Sequence, residues 1–456
     1  MAQPSGIRTR HPRPVAVFAA RTASRARRSL VGLLMRLPGD SQATDPGALL
    51  RRFPEASLLP LRRHGLDPVP ELAERRAAAP VSRLRMPLGL RGWLVTGHPE
   101  TREVLAAPAQ RFSNDFGHMV GKVGIAAEDD PGGLGFADPP GHTRLRRMLQ
   151  PHFTARALTQ QEPRVRRAVD DAIAAVAAAG AGGAVVDLQQ LFALQIPSRV
   201  IMELLGIDDT DREEFHRLSS VRFDFADGAT SSFDAIAQSI SLLRTVVAKQ
   251  RVEPGPGLIG AILREFGDDV DDVELAGLAD GVLVGGLETT VSMLALGAVV
   301  LLRDRTAWDC LRERDDHVGT TVEELLRYLS VVQVGFPRFA AADAAVGDTF
   351  MLAGDAVFPS LVAANRDPRL TTADGATTVA DLETFDHTRP PTAHVAFGHG
   401  LHRCVGAELA RLELRIAYPA LIRAFPDMRL AVPAEELRYR QVSIVHGLES
   451  LPVVLG

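Results

Sequence analysis

The stretch Phe397-Gly398-His399-Gly400-Leu401-His402-Arg403-Cys404-Val405-Gly406 sets three glycines around a single cysteine. Downstream, Leu409, Leu412 and Ile416 recur at helical spacing, so the cysteine sits at or just before a helix N-terminus. Free backbone N–H groups and the positive end of the helix dipole favour a thiolate at such a position. The glycines permit the chain to fold tightly around the sulfur with N–H groups turned toward it. A sulfur held this way is a nucleophile or a metal ligand.

The nucleophile reading needs a positioned histidine base and an orienting Asn or Asp. His399 and His402 are near in sequence, but no cysteine-hydrolase signature surrounds Cys404. The chain has one other cysteine, Cys310, in the unremarked setting Thr-Ala-Trp-Asp-Cys-Leu, which reads as semi-buried core. Two cysteines exclude a disulfide framework, a four-cysteine zinc site and a four-cysteine iron–sulfur cluster. A single thiolate ligand to haem iron needs no companion, because the porphyrin supplies four donors.

Outward from this loop, the chain is that of a globular protein of 456 residues, 46% hydrophobic and 23% charged, large enough to enclose a cofactor. Its 51 basic and 56 acidic residues give a net charge of −5, which gives no reason to expect a nucleic-acid partner. Val282 to Leu302 is nearly all apolar and long enough to cross a bilayer. Glu288 lies in its middle, where an acid is costly in lipid, and acidic residues lead into it, so the segment is expected to be the central helix of a core rather than a membrane span. Within it, Gly285-Gly286-Leu287-Glu288-Thr289-Thr290 strips side chains from one patch beside an acid and a hydroxyl. That pattern suits either a proton path or a close helix contact with Thr289 bonding back to a carbonyl. Further helices are expected over 68–79, 99–106, 164–178, 187–205, 208–220, 232–251 and 257–266. Short strands are expected over 81–86, 92–96, 338–341 and 348–352 and within 428–456. Residues 113–137 read as a long Gly-rich loop. The expected fold class is mainly α with a small β portion, in one domain. The first 39 residues carry eight arginines and no acid. Arg27-Arg28 ahead of an apolar run faintly resembles a twin-arginine export signal, but no small-residue cleavage site follows. Residues 1–45 are read as a disordered basic extension and residues 46–456 as the catalytic domain.

These residues together resemble the cytochrome P450 family of haem-thiolate monooxygenases, in its soluble bacterial form. The family's Phe-x-x-Gly-x-x-x-Cys-x-Gly pattern is met at Phe397, Gly400, Cys404 and Gly406. Glu324-Leu325-Leu326-Arg327 is similar to its Glu-x-x-Arg helix, and Gly285 to Thr289 to its oxygen-binding helix motif. Asp138-Pro139-Pro140-Gly141-His142-Thr143-Arg144-Leu145-Arg146-Arg147 resembles the start of the helix that contacts the haem propionates. Asn365-Arg366-Asp367-Pro368 and Phe385-Asp386-His387-Thr388-Arg389-Pro390 match further landmarks in the right order.

The resemblance implies a long central helix over a buried haem b, with Cys404 as the axial ligand and Phe397 packed near its sulfur. It implies that His142, Arg146, Arg338 and His402 hold the propionates, with Gly285 at the haem face. Glu288 and Thr289 would form the proton relay, and Glu324, Arg327 and Arg389 a buried structural ion network. The implied reaction inserts one atom of O2 into a small hydrophobic substrate, with electrons from a separate ferredoxin and ferredoxin reductase. Arg403, Arg411, Arg415, Arg144 and Arg147 offer a basic docking face, against the alternative of a solvated surface in a chain with 49 arginines and two lysines. A cytoplasmic monomer, without membrane insertion or nucleic acid, is expected. The rivals are a peroxide-driven or rearranging haem-thiolate enzyme, a non-catalytic haem sensor and, more remotely, a cysteine hydrolase. Substrate-facing segments are expected at 108–137, 215–230 (with Phe223 and Phe225), Val282–Thr289 and Val331–Phe336.

Overall fold

A computed structural model describes residues 55–86, 91–115, 134–207, 212–223 and 229–456. The expected basic extension over 1–45, most of the 113–137 loop and Phe225 lie outside these residues. The architecture is a large helical body beside small sheets. At its centre runs the helix Asp272–Arg303, whose first turn is capped by the Asp271 carboxylate accepting the Glu274 N–H at 2.8 Å. At 1.5 Å per residue its 32 residues extend about 48 Å. It is apolar on nearly all sides because it is surrounded: 83% of its most apolar window is buried inside the protein. Around it pack the helices Gln195–Leu205, Arg212–Phe223, Ala229–Val252, Val318–Leu329 and Ala407–Ala424.

The principal sheet has five strands in the order Val81–Arg85, Arg91–Val95, Ala356–Pro359, Arg338–Ala340 and Phe112–Ser113. Ala356–Pro359 runs parallel to Arg91–Val95 and antiparallel to Arg338–Ala340. The sheet brings Ser113 and Phe339 into register, so residue 114 lies beside Arg338. Near Leu430, the C-terminal strand Pro452–Val454 joins Arg429–Leu430 to Val186–Asp187.

Two elements differ from expectation for identifiable reasons. The helix expected over 164–178 begins at Ala155 and carries Pro163 inside it. A proline there reads locally as a stop, yet the Thr154 hydroxyl caps the earlier start by accepting the Ala157 N–H at 3.4 Å. In Ala407–Ala424 the fully buried stripe is Leu409, Leu414, Ala417 and Leu421, whereas Leu412 and Ile416 are only half-buried. The helix is therefore turned further into the core than its leucine spacing suggested.

The turn also buries Glu413, which is 3% exposed and has one carboxyl oxygen without a hydrogen-bond partner. Burial pushes this carboxyl up to about 8, so it is protonated at neutral pH. The native state then holds a proton that the unfolded chain releases between about pH 4.5 and 8, and stability must fall as pH rises through that window. Glu413→Gln should flatten the loss. Denaturant midpoints at pH 6 and pH 9 should converge in the variant and diverge in the parent.

Candidate functional site

The glycine-rich loop is built as the sequence suggested. Gly398 and Gly400 have φ of 70° and 72°, in the left-handed region. A Cβ on Gly400 would also lie 2.6 Å from the Leu105 carbonyl oxygen, so both backbone angle and space require glycine there. The Cys404 N–H donates to the Phe397 carbonyl at 2.9 Å and closes the loop. The following helix starts at Ala407, three residues beyond the cysteine. Burial pushes the Cys404 thiol up, opposed by the Gly406 N–H and the charges of Arg403, Arg146 and Arg411. The residue as a whole is nonetheless exposed.

The central helix presents two different faces at its Gly-rich patch. Gly281, Gly285 and Thr289 fall at four-residue steps, and a Cβ added at Gly281 or Gly285 would meet nothing within 4 Å. At Gly286 a Cβ would meet Ile201 Cδ1 at 2.6 Å, so that glycine serves packing. The Thr289 hydroxyl donates to the Gly285 carbonyl at 2.7 Å, the back-bond anticipated for a mid-helix threonine. Glu288, one residue earlier, is turned away into the protein and is fully buried. One of its oxygens accepts from Arg440 Nη1 at 2.7 Å, and the other has no partner. His216 of the helix Arg212–Phe223 faces the same pair. Burial lowers its pKa, Glu288 opposes this and Arg440 adds to it.

His142, Arg146, Arg338 and His402 converge. The His142 and His402 rings lie 4.2 Å apart. His142 is fully buried, and neither ring nitrogen has a partner. Arg338 is 3% exposed; it donates to the Phe336 carbonyl at 2.9 Å and to Asn114 Oδ1, and forms no ion pair among the described residues. Burial pulls Arg338 down to about 10, with Asp138 opposing. Burial, then Arg338 and His142, pull His402 down to about 3. Asp138 is itself fixed by Ser113 Oγ at 2.5 Å and the Asn114 N–H at 2.9 Å. Arg146 Nη1 donates to the Arg403 carbonyl at 2.8 Å. Arg338 is thus a buried cation beside two histidines and the half-buried Arg146, facing one acid, and this donor set fits a ligand carrying two carboxylates. Cys404 lies within electrostatic reach of Arg146, and the central helix has a face cleared of side chains at Gly281 and Gly285. The donor set fits haem: a cysteine sulfur that would hold the iron, and cationic and hydrogen-bonding side chains that would hold the two propionates.

The ion network is also in place. Glu324 accepts from Arg327 Nε and Nη2, both at 2.7 Å, and from Arg389 Nε at 3.0 Å, with all three residues buried. The proposed docking arginines fare differently. Arg411 is forked onto Glu323 and also pairs with Glu408, Arg144 pairs with Glu274, and Arg403 and Arg415 lie within 4 Å of Glu408 and Glu323. Arg147 stays exposed. The face is of mixed charge rather than basic. Phe336, 47% exposed, meets Phe136 edge-on at 4.9 Å beside Arg338. Sequence reasoning missed Asn114, His216 and Arg440, which no local motif marks.

The model of the cytochrome P450 family matches residues 258–426. The chain belongs to the cytochrome P450 family and is a monooxygenase that binds haem, iron protoporphyrin IX. Among its relatives, cytochrome P450 165B3 of Amycolatopsis orientalis is 37% identical over 404 residues, covering 87% of this chain and 98% of that protein. The mycinamicin IV hydroxylase/epoxidase of Micromonospora griseorubida is 34% identical, covering 86% and 96%. The crystal structure of OxyC, implicated in an oxidative C–C coupling reaction during vancomycin biosynthesis, is similar with a TM-score of 0.75 at 36% identity, covering 86% of this chain and 96% of that one.

The Arg440–Glu288 pair makes a stability prediction. Arg440→Met strands a fully buried carboxylate and should cost about 3–5 kcal/mol. The double variant with Glu288→Gln should recover most of that loss. Urea midpoints of the four proteins close the cycle.

Proposed function

We propose that Cys404 supplies the axial thiolate, that His142, Arg146, Arg338 and His402 hold the two propionates, and that Thr289 and Glu288 deliver protons. The observation that carries this reading is the buried Arg338 cation, without an ion pair among the described residues, close to a buried His142 that is unpartnered at both nitrogens. When bound, the haem supplies the activation of O2 that lets one oxygen atom enter the substrate while the other leaves as water.

The chain's own residues do the rest. Gly285 leaves room at the helix face, and Phe397 shields the sulfur side from water. The Thr289 hydroxyl can give up its bond to the Gly285 carbonyl and present its proton to the open face. Glu288 stands behind it as the store of protons, with one oxygen held by Arg440 and the other free. Adjacent residues on a helix point about 100° apart, so a proton passing from Glu288 to Thr289 crosses the helix flank through an intervening water or a turn of the acid.

The substrate is a hydrophobic secondary metabolite, met near Phe336 and the Gly281–Thr289 face. The mycinamicin IV hydroxylase/epoxidase and the structures from vancomycin and glycopeptide-antibiotic biosynthesis among the relatives support that class. Electrons come from a separate ferredoxin and reductase, and the enzyme works as a cytoplasmic monomer.

Cys404→Ser should abolish the parent's carbon-monoxide spectrum after reduction, and retention of that spectrum rejects the ligand assignment. Thr289→Ala should keep haem binding but send most reducing equivalents to hydrogen peroxide. The yardstick for losing a positioned acid is about 10²–10⁴-fold in the assisted step. Unchanged product per NADPH in that variant rejects Thr289 as the relay.

A further inference from the structure

We propose that Arg411 is a positioning residue for the proximal side of the haem: it clamps the Phe397 ring from beneath and places a fixed positive charge behind the Cys404 sulfur, so setting how strongly that sulfur donates to iron. The inference rests on Cys404 being the iron ligand.

The geometry joins three elements. Glu323, on the helix Val318–Leu329, takes Arg411 in a two-point fork, Nε to Oε1 at 2.6 Å and Nη2 to Oε2 at 2.9 Å. Arg411, on the helix Ala407–Ala424, also donates through Nη1 to Glu408 at 2.8 Å. His394 meets the second Glu323 oxygen at 3.2 Å through Nε2, while its Nδ1 accepts the Ala396 N–H at 3.2 Å. The Arg411 guanidinium lies 4.7 Å from the centre of the Phe397 ring, within cation–π range. Phe397 in turn accepts the Cys404 N–H at 2.9 Å through its carbonyl. The side chains of Arg411 and Glu323 are only 12% and 14% exposed.

A bidentate guanidinium–carboxylate pair fixes orientation as well as charge, which a lysine cannot reproduce. The fork holds the guanidinium plane against the ring, and the ring against the loop that carries the sulfur. Burial works to raise the Glu323 carboxyl, but the hydrogen bonds from Arg411 and His394 outweigh it and hold the group down at about 2. The fork therefore stays ionised throughout the working pH range. An arginine so engaged has little to offer an incoming electron-transfer protein, which is the role its sequence position suggested.

The test is the reduction potential of the haem-loaded protein with the iron–sulfur stretching band from resonance Raman. Arg411→Leu should make the potential more negative, because a positive charge leaves the neighbourhood of an electron-rich sulfur, and should shift the Raman band. Arg411→Lys should recover part of the potential, and it serves alone if the leucine variant fails to load haem. In a Phe397→Leu background the same Arg411→Leu change should move the potential less, since the ring through which it acts is gone. An unchanged potential and band, with only a raised KM for the electron-donor protein, would overturn the proposal in favour of docking. Full additivity of the two substitutions would also overturn it. Cys404→Ser, which should lose the band altogether, keeps a failure of the ligand assignment distinct from a failure of this one.

Discussion

A buried arginine and two buried or half-buried histidines meet at one point in this protein, with a second arginine close by and a single carboxylate, Asp138, facing them. Charge taken out of water without a partner is expensive, and a folded chain usually neutralises it or pairs it. Here burial works against the charged form of both histidines, and His402 is pulled down to about 3. Arg338 cannot follow, since even at about 10 it remains a cation at neutral pH. The arrangement makes sense as the receptor for a dianion. It also explains why the contributing segments are so far apart in sequence. The strand Arg338–Ala340, the helix Gly141–Leu149 and the loop at His402 are brought together by sheet register and by packing, and a shared counter-charge stabilises all three at once.

The central helix answers to the same constraint from the other side. It must be apolar enough to sit inside the core, yet leave one face free of side chains and keep an acid within reach. Glycine at 281 and 285 clears the face, and Arg440 compensates the acid at 288. The glycines cost helix stability, about 1 kcal/mol each, and the surrounding core offsets it. The partner for Glu288 comes from residue 440, 152 positions away.

Much of this was legible in the sequence, and what was not has a common cause. The Gly-rich cysteine loop, the Glu-x-x-Arg pair and the long apolar helix are local patterns, in which spacing alone fixes which residues share a face. Arg389 was legible too, through its place in a short motif. Asn114, His216 and Arg440 were not, because each acts through a contact made only by tertiary packing and none lies in a spaced pattern. The early start of the helix at Ala155 was hidden by Pro163, whose local meaning was overridden by packing against the helix Ala407–Ala424. The basic face was misread for a related reason: sequence shows where arginines are but not which carboxylates fold back onto them.

Glu323 and Glu324 show how far that limit reaches. They are neighbours on one helix, and their carboxylates do opposite things. Glu324 points inward, where Arg327 and Arg389 hold it in a buried network that also gathers the carbonyls of Asn365, Leu382 and Thr384. Glu323 points about a quarter-turn away, toward Arg411, His394 and, through them, the ring beside the cysteine. The spaced motif reports only the first, because the second finds its partner 88 residues along the chain. The two networks hold different segments ahead of the helix Ala407–Ala424, one bracing Asp386 to Arg389 and the other reaching Phe397. A single helix thus braces two separate loop segments, and the half-buried brace is the one whose charge lies near enough to matter to the sulfur.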